Sequence, residues 1–142
     1  MNQESPFAPL PAPGDIVYCQ FPEKLGSPGL KPRPVFVISQ READDGTLAL
    51  EVAYGTTQKT RQLYAGEFLI ASIDVHAFSL AGLSFDTNFD LAHTQVLPYT
   101  TKWFKVPPSP RFGQSPRLGS LHPSLLRAAQ AAYNAAKTKK PK

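Results

Sequence analysis

The residues best suited to chemistry lie in Lys31-Pro32-Arg33-Pro34-Val35-Phe36-Val37-Ile38-Ser39. Proline on either side of Arg33 restricts the backbone and holds the arginine extended at the mouth of an apolar strand. A guanidinium fixed in that way offers a planar fork of donors that matches a phosphate. The competing reading is an ion pair with Asp15 or Glu51. Other chemistries find little support. His76, His93 and His122 lie far apart, outside metal-ligand spacing, and no Gly-rich phosphate loop or nucleophile elbow is present. Any enzyme built on this chain is therefore expected to use neither metal nor cofactor. Cys19 is the one cysteine, so no disulfide can form within the chain. Its place in an apolar run makes it a core residue before a nucleophile.

The elements that must position Arg33 are short strands. Ile16 to Phe21 and Val35 to Ser39 are rich in β-branched and aromatic residues, and Leu48 to Tyr54 pairs with the latter across the turn Asp44-Asp45-Gly46-Thr47. Residues 22–34 form a long proline- and glycine-rich loop. Phe68 to Ala71 is a further strand, His76 to Leu83 a helical turn, and Asn88 to Leu97 a strand with imperfect alternation. Residues 106–119, rich in proline and glycine, read as loop. Pro123 suits a first helical position, with His122 or Ser120 before it. Leu125, Leu126, Ala129, Ala132, Tyr133 and Ala136 make an apolar stripe at helical spacing. The pattern predicts a mainly β fold: a small β-barrel or strongly bent sheet covered by a C-terminal helix.

At 142 residues with fifteen prolines, the chain fits one domain and no helical bundle. It divides into a proline-rich leader over 1–13, a folded domain over 14–136 and a basic tail over 137–142. The net charge of +4 is unevenly spread. Residues 1–90 hold eleven acids against six bases, and residues 91–142 hold nine bases and no acid. A one-signed third of a chain suits a polyanion, either nucleic acid or an acidic protein, although four of its charges are tail lysines. Trp103 and Phe104 between Lys102 and Lys105 suggest a base-stacking platform, or else a core or dimer contact. No signal peptide or membrane span is evident, and an intracellular, cytoplasmic protein is expected.

Gly14-Asp15-Ile16-Val17, a glycine-containing loop, the strand from Pro32 to Ile38, and Val52-Ala53-Tyr54-Gly55-Thr56-Thr57-Gln58 follow one another in an order that resembles the MazF/PemK toxin family over residues 14–58. Later segments are similar in plan, not in motif. The resemblance implies an SH3-like barrel with a C-terminal helix, usually a homodimer. It implies the toxin of a two-gene toxin–antitoxin module that cleaves single-stranded RNA, commonly without metal, under the control of an acidic antitoxin. The family's active-site arginine and threonine map to Arg33 and Thr56, with Thr57 the near alternative. RNA contacts are expected from Lys31, Thr57, Gln58, Lys102, Trp103 and Lys105.

Where some relatives carry an arginine and an acid, this chain reads Phe89-Asp90-Leu91-Ala92-His93-Thr94-Gln95. His93 is the candidate general base and Asp90 the acidic alternative, while His93 also reads as a plain strand residue. This departure means that no RNA sequence preference carries over. Two other classes remain open: a non-catalytic barrel binding nucleic acid or protein, and a toxin acting by contact with a topoisomerase or similar target.

Overall fold

In a computed structural model, residues 10–22, 32–58, 60 and 63–139 are described. Six strands form one antiparallel sheet: β1 (Asp15–Cys19), β2 (Arg33–Glu42), β3 (Leu48–Thr56), β4 (Glu67–Ile70), β5 (Thr87–Pro98) and β6 (Arg117–Ser120). Their order is β4-β5-β3-β2-β1-β6. Helix α1 (Val75–Ala81) joins β4 to β5, and a 3₁₀ turn (Pro123–Leu125) leads into α2 (Leu126–Lys139). The β2–β3 hairpin turns where Gly46 takes a positive φ of 86° and Asp45 Oδ1 accepts the Thr47 amide at 2.9 Å.

Side-chain alternation gives the sheet two buried faces. Val17, Cys19, Val35, Val37, Leu50 and Val52 turn to one side and pack with Phe21, Tyr99, Trp103 and Phe104. Ile16, Phe36, Ala53, Phe68, Ile70 and Phe89 turn to the other, where Ala129 and Ala132 of α2 cover them. Register shifts between Ile16 and Val17, Val37 and Ser39, and Ala53 and Tyr54 bend the strands. The terminal strands β4 and β6 are not paired, so the sheet is open and barrel-like. Helix α1 contacts both of them. Two glycines permit that approach: Gly82 ends α1 at φ 72°, and a Cβ on it would collide with the Leu118 carbonyl, as one on Gly119 would with the end of α1.

The mainly β fold with a C-terminal helix agrees with the sequence pattern, with several corrections. β6 lies within the stretch read as loop, because its strand character comes from pairing with β1 rather than from its own composition. The leader's last residues are tied down: Leu10 packs on the first core and the Pro11 carbonyl accepts Gln40 Nε2 at 2.9 Å. Residues 1–9 lie outside the described residues. His122 is the N-cap, its Nδ1 accepting the Ser124 amide at 3.0 Å, and Leu126 is 59% exposed rather than part of the buried stripe. α2 continues to Lys139, past the expected start of the tail. No helix among the described residues is long and apolar enough to cross a membrane.

Candidate active site

Arg33 begins β2 and stands opposite Cys19 of β1. On the other side, β2 and β3 pair Val35 with Tyr54, so the same register carried to the strand end sets Arg33 opposite Thr56. Gly55 allows the two backbones to meet there. A Cβ at that position would collide with the Pro34 carbonyl and lie 2.8 Å from the Phe89 ring. Thr56 closes its strand with its own hydroxyl, Oγ1 accepting the Gln58 amide at 3.1 Å. The hydroxyl proton is not consumed by that bond and remains a donor. Asp15 and Glu51, the two carboxylates considered for Arg33, each face another arginine. Asp15 Oδ1 lies 3.5 Å from Arg117 Nε, and Glu51 Oε1 lies 2.7 Å from Arg41 Nη2.

β5 continues this row, pairing Asn88 with Thr56. Asn88 is 2% exposed; its Nδ2 donates to Glu67 Oε1 at 3.0 Å, and its buried Oδ1 has no hydrogen-bond partner among the described residues. Glu67 Oε1 also accepts the Tyr64 amide at 2.9 Å. A buried amide at the end of a row that begins with arginine is a functional candidate the sequence reading passed over. Its signal was modest: Asn88-Phe89-Asp90-Leu91 alternates polar with apolar, which marks a polar face but no role for it.

Asp90 and His93 flank a bulge. β3 pairs Ala53 with Thr94 but the adjacent Tyr54 with Asp90, so Leu91, Ala92 and His93 are extra on β5. Asp90 Oδ1 accepts the Ala92 amide at 2.9 Å and so braces the bulge from within. The imidazole of His93 packs against Phe21 and Tyr54, each ring centroid 5.2 Å away. Tyr54 and Thr56 share a face of β3. The fold thus brings Arg33, Thr56, Asp90 and His93 to one end of the sheet.

Arg33 and Thr57 line a groove of about 560 Å³ together with Arg111 and Arg117. Of the other expected RNA contacts, those among the described residues do not line this groove. Trp103 is only 8% exposed in the first core, with Lys102 Nζ 5.1 Å from its ring centroid, which places it as a core side chain rather than an open stacking platform. Lys105 Nζ donates to the Thr101 carbonyl at 2.6 Å. Gln58 is exposed in the turn after Thr56, and Lys31 lies outside the described residues. Burial pushes the Cys19 thiol far above its ordinary range, which suits a core residue. Among the described residues no three of His, Cys, Asp and Glu cluster in a way that would hold a metal ion.

No family model and no curated protein matches the chain. Solved structures do. One is an endoribonuclease in complex with its cognate antitoxin from a mycobacterial species, at TM-score 0.55 and 15% identity, covering 94% of this chain and 100% of that one. At that identity the likeness is one of fold: the chain has the architecture of that endoribonuclease, a small barrel-like antiparallel sheet with a C-terminal helix.

Proposed function

We propose that this chain is the toxin of a type II toxin–antitoxin module, an endoribonuclease that cleaves single-stranded RNA without a metal. The observation that carries the reading is the β2–β3 register, whose Val35–Tyr54 pair, carried two residues further, sets Arg33 opposite Thr56. The arginines that share the groove with Arg33 support it, as does a fold held in common with an endoribonuclease solved in complex with its antitoxin.

RNA supplies its own nucleophile. The 2′-hydroxyl attacks the adjacent phosphorus, the 2′-O–P bond forms, and the P–O5′ bond breaks, the departing 5′-oxygen taking a proton from solvent water. The products are a 2′,3′-cyclic phosphate and a 5′-hydroxyl. Charge builds on the non-bridging oxygens in the transition state, where the Arg33 fork and the Thr56 hydroxyl donate hydrogen bonds. His93 takes the 2′-hydroxyl proton, with Asp90 the alternative base. Thr57 and Gln58 border the site, and Lys31, Lys102 and Lys105 add long-range attraction for the polyanion. The chain works in the cytoplasm as a homodimer, held inactive by an acidic antitoxin.

Incubating labelled RNA with the purified protein in EDTA tests this directly. Cleavage should persist in wild type and fall by about 10²–10³ in Arg33→Ala. A second reading, a non-catalytic module that binds single-stranded nucleic acid, draws on one observation: the Asp90 carboxylate already braces its own bulge. It predicts RNA binding that depends on Arg33 with no cleavage at any pH.

A further inference from the structure

Two arginines that line the groove with Arg33, Arg111 in the connection after β5 and Arg117 at the start of β6, have no part in the cleavage step described above. Arg111 Nη1 donates to the Ser79 carbonyl at the end of α1, at 2.8 Å. Arg117 Nε faces Asp15 Oδ1 at 3.5 Å, and its Cζ lies 4.4 Å from the Phe112 ring centroid. Arg111 approaches the same ring at 5.9 Å. Each guanidinium carries five N–H donors, and each is held here by one polar contact and by the Phe112 ring, so further donors remain. Phe112 acts as a positioning residue, stiffening both side chains by stacking. Phe85 also lines this groove and is 70% exposed, an unusual position for a large aromatic ring. No carboxylate lines the groove among the described residues.

Anchored planar cations beside an open aromatic face are what a single strand needs: guanidinium forks for consecutive phosphates and a flat ring for a base. We propose that Arg111, Arg117 and Phe85 form a subsite for the nucleotides flanking the cleaved bond, Arg111 and Arg117 binding phosphodiesters and Phe85 stacking a base. This rests on the RNA-cleaving reading above, which assigns Arg33 in the same groove to the scissile phosphate. An acidic peptide would match the charge but would make no use of the exposed ring.

Fluorescence anisotropy with a short labelled 2′-O-methyl RNA tests the subsite, because that probe binds but has no 2′-hydroxyl to attack. Arg111→Gln with Arg117→Gln should weaken binding and flatten the log–log salt dependence by about 1.4, two single-strand phosphate contacts' worth. Phe85→Ala should weaken binding about 5- to 100-fold at an unchanged salt slope, and Phe85→Trp should restore it. Arg111→Lys with Arg117→Lys should keep the slope and lose affinity, which separates loss of the forks from loss of fold. Wild-type affinity and slope in the glutamine double variant would overturn the subsite. So would an oligoglutamate peptide that needs these arginines while the RNA probe does not. Should wild type bind the probe through these residues and cleave no RNA, the subsite stands and the catalytic reading fails. Should it cleave RNA with binding indifferent to all three, the reverse holds.

Discussion

Arg33 gains its position from its neighbours on both sides of the chain and of the sheet. Pro32 and Pro34 fix its backbone, and the β2–β3 register brings Thr56 across from it. Arg33→Ala and Thr56→Ala should each lower the cleavage rate by about 10²–10³ with an unchanged circular dichroism spectrum, as loss of a transition-state donor does. Arg33→Lys should fail nearly as badly, since a point charge does not reproduce the fork. His93→Gln should lower the cleavage rate at an unchanged circular dichroism spectrum. Full activity in that variant would transfer the base role to Asp90. Arg33 stood out in the sequence because its bracketing prolines are a local signal, whereas Thr56 came from the family resemblance alone. Asn88 and Glu67 were not legible there, because each acquires meaning only from a strand distant in sequence, and Arg111 and Arg117 showed only as members of the basic third. Trp103 illustrates the opposite error, an aromatic between lysines whose ring the fold buries.

Among the elements, the close approaches matter most. Gly55→Ala should force β2 and β3 apart at the Pro34 carbonyl and lower both melting temperature and cleavage. Gly82→Ala should cost about 1–3 kcal/mol from the left-handed backbone alone, read as a drop in the urea midpoint, and more where its Cβ meets Leu118. Cys19 supplies a prediction of a different kind. Its folded-state thiol titrates well above the model-peptide value of 9.0, so below that value both states are protonated and stability is unaffected. Above it only the unfolded chain loses the proton, and stability should fall as pH rises past about 9. The native thiol should resist alkylation until the protein is denatured. The strands β2, β3 and β5 were readable from β-branched and aromatic runs. β6 was not, since Arg117-Leu118-Gly119-Ser120 with a proline before it has loop composition, and pairing with β1 makes it a strand. The bulge of β5 showed in the sequence as faulty alternation, without its three-residue size.

Across the whole molecule, the basic third of the chain separates into parts that sequence alone treated as one face. Arg111 and Arg117 come to the groove beside Arg33, whereas Lys102 and Lys105 contact Trp103 and the Thr101 carbonyl. Neutralising the two arginines should therefore weaken RNA binding more than neutralising the two lysines or removing residues 137–142. A fold shared with an antitoxin-bound endoribonuclease, at low identity and without matching sequence families, leaves the chemistry to be read from the site itself. The most direct measurement of that chemistry is the mass of the RNA fragments released by wild-type protein in EDTA. The account predicts upstream fragments ending in a 2′,3′-cyclic phosphate and downstream fragments beginning with a 5′-hydroxyl. Fragments carrying a 5′-phosphate and a 3′-hydroxyl, or intact RNA throughout, would contradict it.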